Sequence, residues 1–478
     1  MKAMRITYFS ATATELPSVS HGASLFRKDC DLTVTARSRS QLFDDARVAA
    51  FVADAMRSDA VIVTLHGGKA SCPAFEPLIE AVNGRRASGE KVPRLHVQPL
   101  GGDEEALLAA REHSDGMEDG SWRSVFQYLA YGGAANVRGA LARLHAIVHG
   151  TGAETLPPEP VAQEGVHHPD LPGIMNVEDY ARKWIDPGKP TIGVWFYQSY
   201  RLNGNVAHID ALVREIEGRG ANVLPVFSMR LRDEALGNRG SDEIVRSYFM
   251  KDGKPRIDAL INTMSMSMTI TNRDFLGLYP ELGVAVVQAL TSSNPYAVWK
   301  ESDQGLATMD VTFQAAQPEF DGALITVPVA TREEEEIDPI TGALIMRYVP
   351  IPERVRAVVS LALKWAELRR KPNSEKRIAI VFHHYPPRND RIGCAAGLDS
   401  FASVKHLLDR MSEEGYRVDR LFADGDELAN SLLERMTCDR RWLSPDQLAE
   451  RSEASADRDV FLPWHEALPA TIRKKMSE

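Results

Sequence analysis

The densest run of chemistry-bearing residues lies at 383–403, HHYPPRNDRIGCAAGLDSFAS. Arg388 and Arg391 offer planar guanidinium forks that match carboxylates. Gly393 and Gly397 permit close backbone approach, and two prolines stiffen the entry. Asp399 and Ser400 are capping candidates for a following helix whose first N–H groups attract anions. As a phosphate cradle the run is poor, because GCAAG is neither GxxxxGK[ST] nor GxGxxG and no lysine follows it. The residues alone leave both a structural loop and an anion-binding loop open.

Other candidates are scattered. His208 follows Gly204-Asn205 at the start of a helix, where a histidine either caps locally or lines a cavity. Glu319 and Asp321 in PEFDG stand two apart, which on a strand places both on one face, while the same run also reads as a structural turn. Met264, Met266 and Met268 alternate with Ser and Thr, the pattern of a strand with one apolar face. His167-His168 beside a proline reads as a solvated loop without metal partners at ligand spacing. The EEEE run at 333–336 reads as a solvated acidic loop, since neighbouring carboxylates repel.

The elements that must position these groups alternate. Residues 5–9, 60–65 and 95–98 read as strands, with helical stretches at 41–57, 74–82 and 104–149, the last interrupted at Gly132-Gly133. Residues 151–190 are rich in Pro and Gly and read as a linker. A second alternating region opens with TIGVWFY (191–197), a helix over 206–218 and NVLPVF (222–227), a βαβ unit. Further strands are expected at 259–262, 284–290 and 323–329, then a helix over 354–370. A third unit has strands at 377–382 (RIAIVF) and 416–421 (YRVDRL) around a helix over 399–414. The expected fold is α/β and multidomain, with mainly parallel sheets flanked by helices. It divides into a head (1–150), the linker, a first body region (191–370) and a further body region (371–478).

Composition narrows the classes. The 478 residues carry 56 Lys and Arg against 66 Asp and Glu, a formal charge of −10. That acidity argues against binding a nucleic-acid backbone. Cys30, Cys72, Cys394 and Cys438 form no CxxC pair, which excludes a cysteine zinc site and fits a reducing cytoplasm. No secretory core opens the sequence, and no run of about 18 apolar residues spans a membrane.

Three segments carry a resemblance. FHHYPPRNDRIGCAAGLDSFASVKHLLDRMSEEGYRV is similar to the corresponding segment of CobN-type large subunits of cobaltochelatase, and more distantly to the large subunit of magnesium chelatase. IGVWFYQSYRLNGNVAHIDALVREIEGRGANVLPVFS and QALTSSNPYAVWKESDQGLATMDVTFQAAQPEFDGALITVPVA resemble the family in the same order and spacing, across roughly 190–475. The resemblance implies binding of a corrin-type tetrapyrrole, hydrogenobyrinate a,c-diamide or a relative, for insertion of Co2+. ATP and Mg2+ would be used by AAA+ partner subunits, in keeping with the absence of a P-loop motif from this sequence.

It also implies a site. His208, matching the family's Ala-His, would act catalytically by accepting a pyrrole proton. Arg201, Asn205, Tyr385, Arg388, Asn389, Arg391, Gly397 and Asp399 would hold the substrate, the arginines at its peripheral carboxylates. No resident metal site is expected. The family's downstream His-Gly-x-x-Glu-Trp-x-Pro-Gly motif does not occur in this sequence. The chain is therefore expected to be a truncated piece or the N-terminal part of a split subunit, acting with a complementary C-terminal chain. The rival readings are a magnesium or nickel chelatase large subunit, and a catalytically silent tetrapyrrole-binding scaffold.

Overall fold

The computed structural model describes all residues except 1, 101–103, 152–156, 231, 234–235, 268–277, 436, 453 and 478. The chain divides into two compact units, Met1–Arg370 and Lys371–Glu478. The expectation of a mixed α/β fold with parallel sheets flanked by helices holds in the first unit.

The head of the first unit is a parallel sheet of β1 (Met4–Ser10), β2 (Leu32–Ser38), β3 (Ala60–Leu65) and β4 (Arg94–Pro99) in the order β2-β1-β3-β4. Every residue of β3 is buried, as its unbroken apolar run requires of a strand covered on both faces. The helices Leu16–Phe26 and Gly133–His149 cross on one face, where Gly22 lets them close. A Cβ at that position would lie 2.6 Å from Val137 Cβ. Strand β2 and the helix Leu16–Phe26 lie outside the strands and helices read from the sequence.

The body sheet has seven strands: β5 (Gly165–Val166), β6 (Thr191–Tyr197), β7 (Asn222–Ser228), β10 (Ala259–Asn262), β11 (Ala285–Ser292), β12 (Leu324–Ile337) and β13 (Leu344–Pro350). A two-stranded ribbon of β8 (Met250–Lys251) and β9 (Lys254–Pro255) precedes β10. The order is β13-β12-β11-β10-β6-β7-β5, with antiparallel edges and five parallel strands between them. Apolar cores cover both faces, one including Ile209, Leu212 and Val359, the other Trp195, Phe249 and Leu282.

Several local expectations are corrected. The segment read as a linker contributes β5 and the helix Val177–Trp184. Its histidines are not solvated. His168 Nε2 lies 3.0 Å from Glu217 Oε1 and His167 Nε2 lies 2.8 Å from Asp210 Oδ1, both carboxylates on the helix Ala207–Gly218. The acidic run belongs to β12, where Glu333 pairs with Arg347 and Glu334 with Met346 across from β13. Beyond β10, Met264–Ser267 is a loop, not a strand, and Met266 adopts a positive φ of 71°. Met268 falls outside the described residues. PEFDG is a short helix, Gln317–Phe320, and a turn, so Glu319 and Asp321 do not share a strand face.

The second unit differs most from expectation. Its helices are Ser400–Glu413, Gly425–Leu433, Pro445–Arg451, Arg458–Glu466 and Ala470–Ser477, and no strand forms among its described residues. The segments 377–382 and 416–421 find nothing to pair with there. Leu428 and Asp439 are its only buried residues among those described.

Candidate functional site

In the body, β6 is flanked on one side by β7, the next parallel strand along the chain, and on the other by β10. The strand order therefore reverses between β6 and β10, and ligands of open α/β sheets sit at the carboxyl ends of such strands. There the Tyr197 hydroxyl donates to Ser265 O at 3.0 Å and accepts from Ser265 N–H at 3.1 Å. Arg230, two residues past β7, donates to Ser267 O at 3.0 Å. Arg201 lies over the Phe227 ring at 5.0 Å, and its burial lowers the guanidinium pKa. Neither arginine has a carboxylate partner among the described residues.

A second reversal point lies in the head, between β1 and β3, and β12 of the body reaches it. Arg332 of β12 donates to Thr12 O at 3.0 Å, just past the end of β1. Beside it Glu15 accepts from Thr12 Oγ1 at 3.0 Å and from Thr64 Oγ1 at 2.8 Å. Burial first, and Glu15 second, raise the Tyr8 hydroxyl well above its ordinary range. Arg332 also has no carboxylate partner among the described residues.

His208 sits behind this edge and not at an exposed helix end. It is fully buried, with Tyr200 at 5.1 Å and Tyr348 at 5.0 Å between ring centroids. The reason is β13, which folds over the helix start. Tyr348 N–H donates to Asn205 Oδ1 at 2.8 Å and Arg347 donates to Gly204 O at 3.2 Å. The Tyr200 and Tyr348 rings meet edge to face at 5.5 Å, and burial first, with Tyr348 second, raises the Tyr200 hydroxyl well above its ordinary range. Neither ring nitrogen of His208 has a partner among the described residues, and desolvation lowers its pKa to about 3. The imidazole is neutral at pH 7, yet the same burial makes it a weak base. Asn205 is spent on the backbone of β13.

The 383–403 loop belongs to the second unit. Arg388 pairs with both carboxylate oxygens of Asp390, at 2.9 and 2.8 Å. Asn389 is held at both ends, its N–H donating to Asp439 Oδ2 and its Oδ1 accepting from Thr437. Asp399 caps the helix Ser400–Glu413 by accepting from Ala402 N–H at 2.9 Å, and Ser400 donates to Gly393 O. Gly397 takes a positive φ of 73°. Tyr385 is 75% exposed, and Arg391 has no carboxylate partner among the described residues. The structure thus gathers Arg201, Asn205 and His208 in one unit and Tyr385, Arg388, Asn389, Arg391, Gly397 and Asp399 in the other.

Sequence reasoning missed Tyr197, Tyr200, Arg230, Arg332 and Tyr348. The first three stand within three residues of a strand's carboxyl end, a signal that was present. Tyr348 and Arg332 carried none, because their place depends on how β12 and β13 pair. Among the described residues no group of three or more His, Cys, Asp or Glu could hold a metal ion, and no helix is long and apolar enough to cross a membrane.

The carboxyl ends of parallel strands, set here with arginines that have no carboxylate partner among the described residues, are where open α/β sheets bind ligands. Residues 126–478 match the family described as CobN/Magnesium Chelatase. The chain belongs to that family. It is 30% identical over 441 residues to the aerobic cobaltochelatase subunit CobN of Sinorhizobium sp, covering 90% of this chain and 33% of the relative. It is 28% identical over 300 residues to the chloroplastic magnesium-chelatase subunit ChlH of Oryza sativa subsp. indica, covering 58% and 20%. Among solved structures, the catalytic subunit of cobaltochelatase from Mycobacterium tuberculosis matches with a TM-score of 0.52 and 28% identity, over 90% of this chain and 33% of that one. The chain spans about a third of the length of the CobN relatives it matches.

Proposed function

We propose that this chain forms part of the tetrapyrrole-binding large subunit of a cytoplasmic, ATP-dependent cobaltochelatase, which inserts Co2+ into hydrogenobyrinate a,c-diamide. AAA+ partner subunits would bind and hydrolyse ATP with Mg2+. One observation carries the choice of cobalt over magnesium. Two CobN relatives match at 30% identity over 90% and 64% of this chain, whereas ChlH matches at 28% over 58%.

In this reading Arg201, Arg230 and Arg332 pair with the acetate and propionate groups at the rim of the macrocycle, where an unpartnered guanidinium gains most. Tyr197, Tyr200 and Tyr348 offer flat apolar surface to the ring. Within the second unit, Arg388 is already neutralised by Asp390, whereas Arg391 has no carboxylate partner among the described residues. His208 acts as a positioning residue that holds the Tyr200 and Tyr348 rings. Its low basicity removes the reason to make it the proton acceptor.

The test is titration of the full chain, followed by absorbance and calorimetry, with hydrogenobyrinate a,c-diamide and with protoporphyrin. Binding of the corrin at least about tenfold tighter is expected, a difference of about 1.4 kcal/mol. Equal affinity, or preference for the porphyrin, would replace cobalt with the magnesium reading.

A further inference from the structure

Residues 377–382 and 416–421 have the composition of strands and the environment of none. RIAIVF is apolar on both faces, the pattern of an interior strand of a parallel sheet. Yet Ile378 is 53% exposed, Ile380 37% and Val381 87%. Among the described residues, no backbone N–H or C=O of 377–382 makes a hydrogen bond, and in 416–421 the one that does is Tyr416 N–H, to Met411 O at 2.9 Å where the preceding helix ends. The helix Ser400–Glu413 lies between the two segments in sequence, as in a strand–helix–strand crossover. Such a crossover delivers parallel strands to one sheet, and a helix with two bare strands is too little to be stable in water.

We infer that the second unit is an unfinished parallel sheet whose two bare strands take up further β-strands from polypeptide corresponding to the relatives' remaining length. The relatives that share these segments are about three times longer than this chain, which names the source of the missing strands. Main-chain hydrogen bonds would supply the affinity and the apolar side chains the register. The inference rests on family membership and not on the choice of cobalt.

Hydrogen exchange read by mass spectrometry tests it on the full chain, alone and mixed with the downstream two thirds of the Sinorhizobium CobN protein as a separate polypeptide. Alone, amides in 377–382 and 417–422 should exchange almost unprotected, while β6 and β10 exchange at least about 10³-fold more slowly. The added polypeptide should slow exchange in both segments by about 10²-fold. Ile380→Lys should abolish that slowing. Val381→Lys, at a largely exposed position, guards against loss of fold, and protection of β6 reports that the first unit is intact in either variant. Unchanged exchange on mixing overturns the inference. So does strong protection in the chain alone, and so does protection that grows with its own concentration alongside a dimeric mass, which would give the strands to a second copy.

Discussion

β6 and the segment 377–382 are close relatives as sequences and opposites as structures. TIGVWFY runs through the middle of the body sheet, hydrogen-bonded to β7 on one side and β10 on the other, with Trp195 and Phe196 fully buried. RIAIVF, equally apolar, lies in the second unit with its backbone bare and Ile378, Ile380 and Val381 exposed, and only Phe382 finds a partner ring among the described residues, Phe401 at 4.9 Å. The local pattern states what kind of strand a segment makes. Whether it becomes one depends on neighbours distant in sequence, since an unpaired strand recovers none of its ordering entropy.

The largest effect should come from cutting into the paired strand. Phe196→Ala removes a fully buried ring from the core that also holds Ile209 and Val213, and should cost about 3–5 kcal/mol. Ile380→Ala, at a half-open site, should cost about 0.5 kcal/mol or less. Urea denaturation of both variants checks the contrast. A loss above about 2 kcal/mol at Ile380 would show that its segment is already packed.

Individual arginines also differ in how they are engaged, and this sharpens the comparison between Arg332 and Arg388. Arg332→Ala removes a partly buried guanidinium without a carboxylate partner among the described residues. It should weaken corrin binding by about 1.5–3 kcal/mol, roughly ten- to a hundredfold. Calorimetric titration showing wild-type affinity would take the meeting of head and body out of the site.

Acid should act on the first unit through its buried histidines. Burial lowers His208 to about 3 and His96 to about 4, both below their unfolded value near 6.5. The unfolded chain therefore binds more protons, and stability present above pH 6.5 is lost as pH falls toward the folded values. For His208 alone the loss by pH 5 is about 2 kcal/mol. His208→Phe should flatten the fall of the urea midpoint between pH 7 and 5. An unchanged slope would mean that His208 is charged or solvated in the native state.

Much of the first unit was legible in the sequence because its evidence was local. Unbroken apolar runs marked β3, β6, β7 and β10, and the spacing in 206–218 marked the helix that carries His208. The misses have a common cause. LTVTARS of β2 alternates weakly and is a strand because β1 pairs with it. EEEE entered β12 because β13 folds back on it. His208 read as a helix-start residue that caps locally or lines a cavity, because nothing nearby in sequence announces Tyr348. In the second unit the reading erred the other way, crediting two segments with partners the described residues do not supply.

The smallest expected effect is at Arg388, and it separates the two readings of the 383–403 loop. Sequence alone offers its guanidinium as a carboxylate fork. In the structure that fork is closed on Asp390, at 2.9 and 2.8 Å, on side chains about half exposed. An exposed ion pair of this kind contributes about 0–1 kcal/mol, and a guanidinium already engaged gains little by exchanging one carboxylate for another. Arg388→Ala should therefore shift corrin affinity by less than about twofold, within about 0.4 kcal/mol, and leave the thermal midpoint nearly unchanged. Asp390→Asn is the sharper variant, because it frees Arg388 without deleting it. If the loop lies at the substrate's rim, that change should tighten binding of the acidic macrocycle by a few fold. Loss of affinity at Arg388→Ala comparable to that at Arg332→Ala would show instead that Arg388 leaves Asp390 to hold the ligand, and would return the loop to the centre of the site.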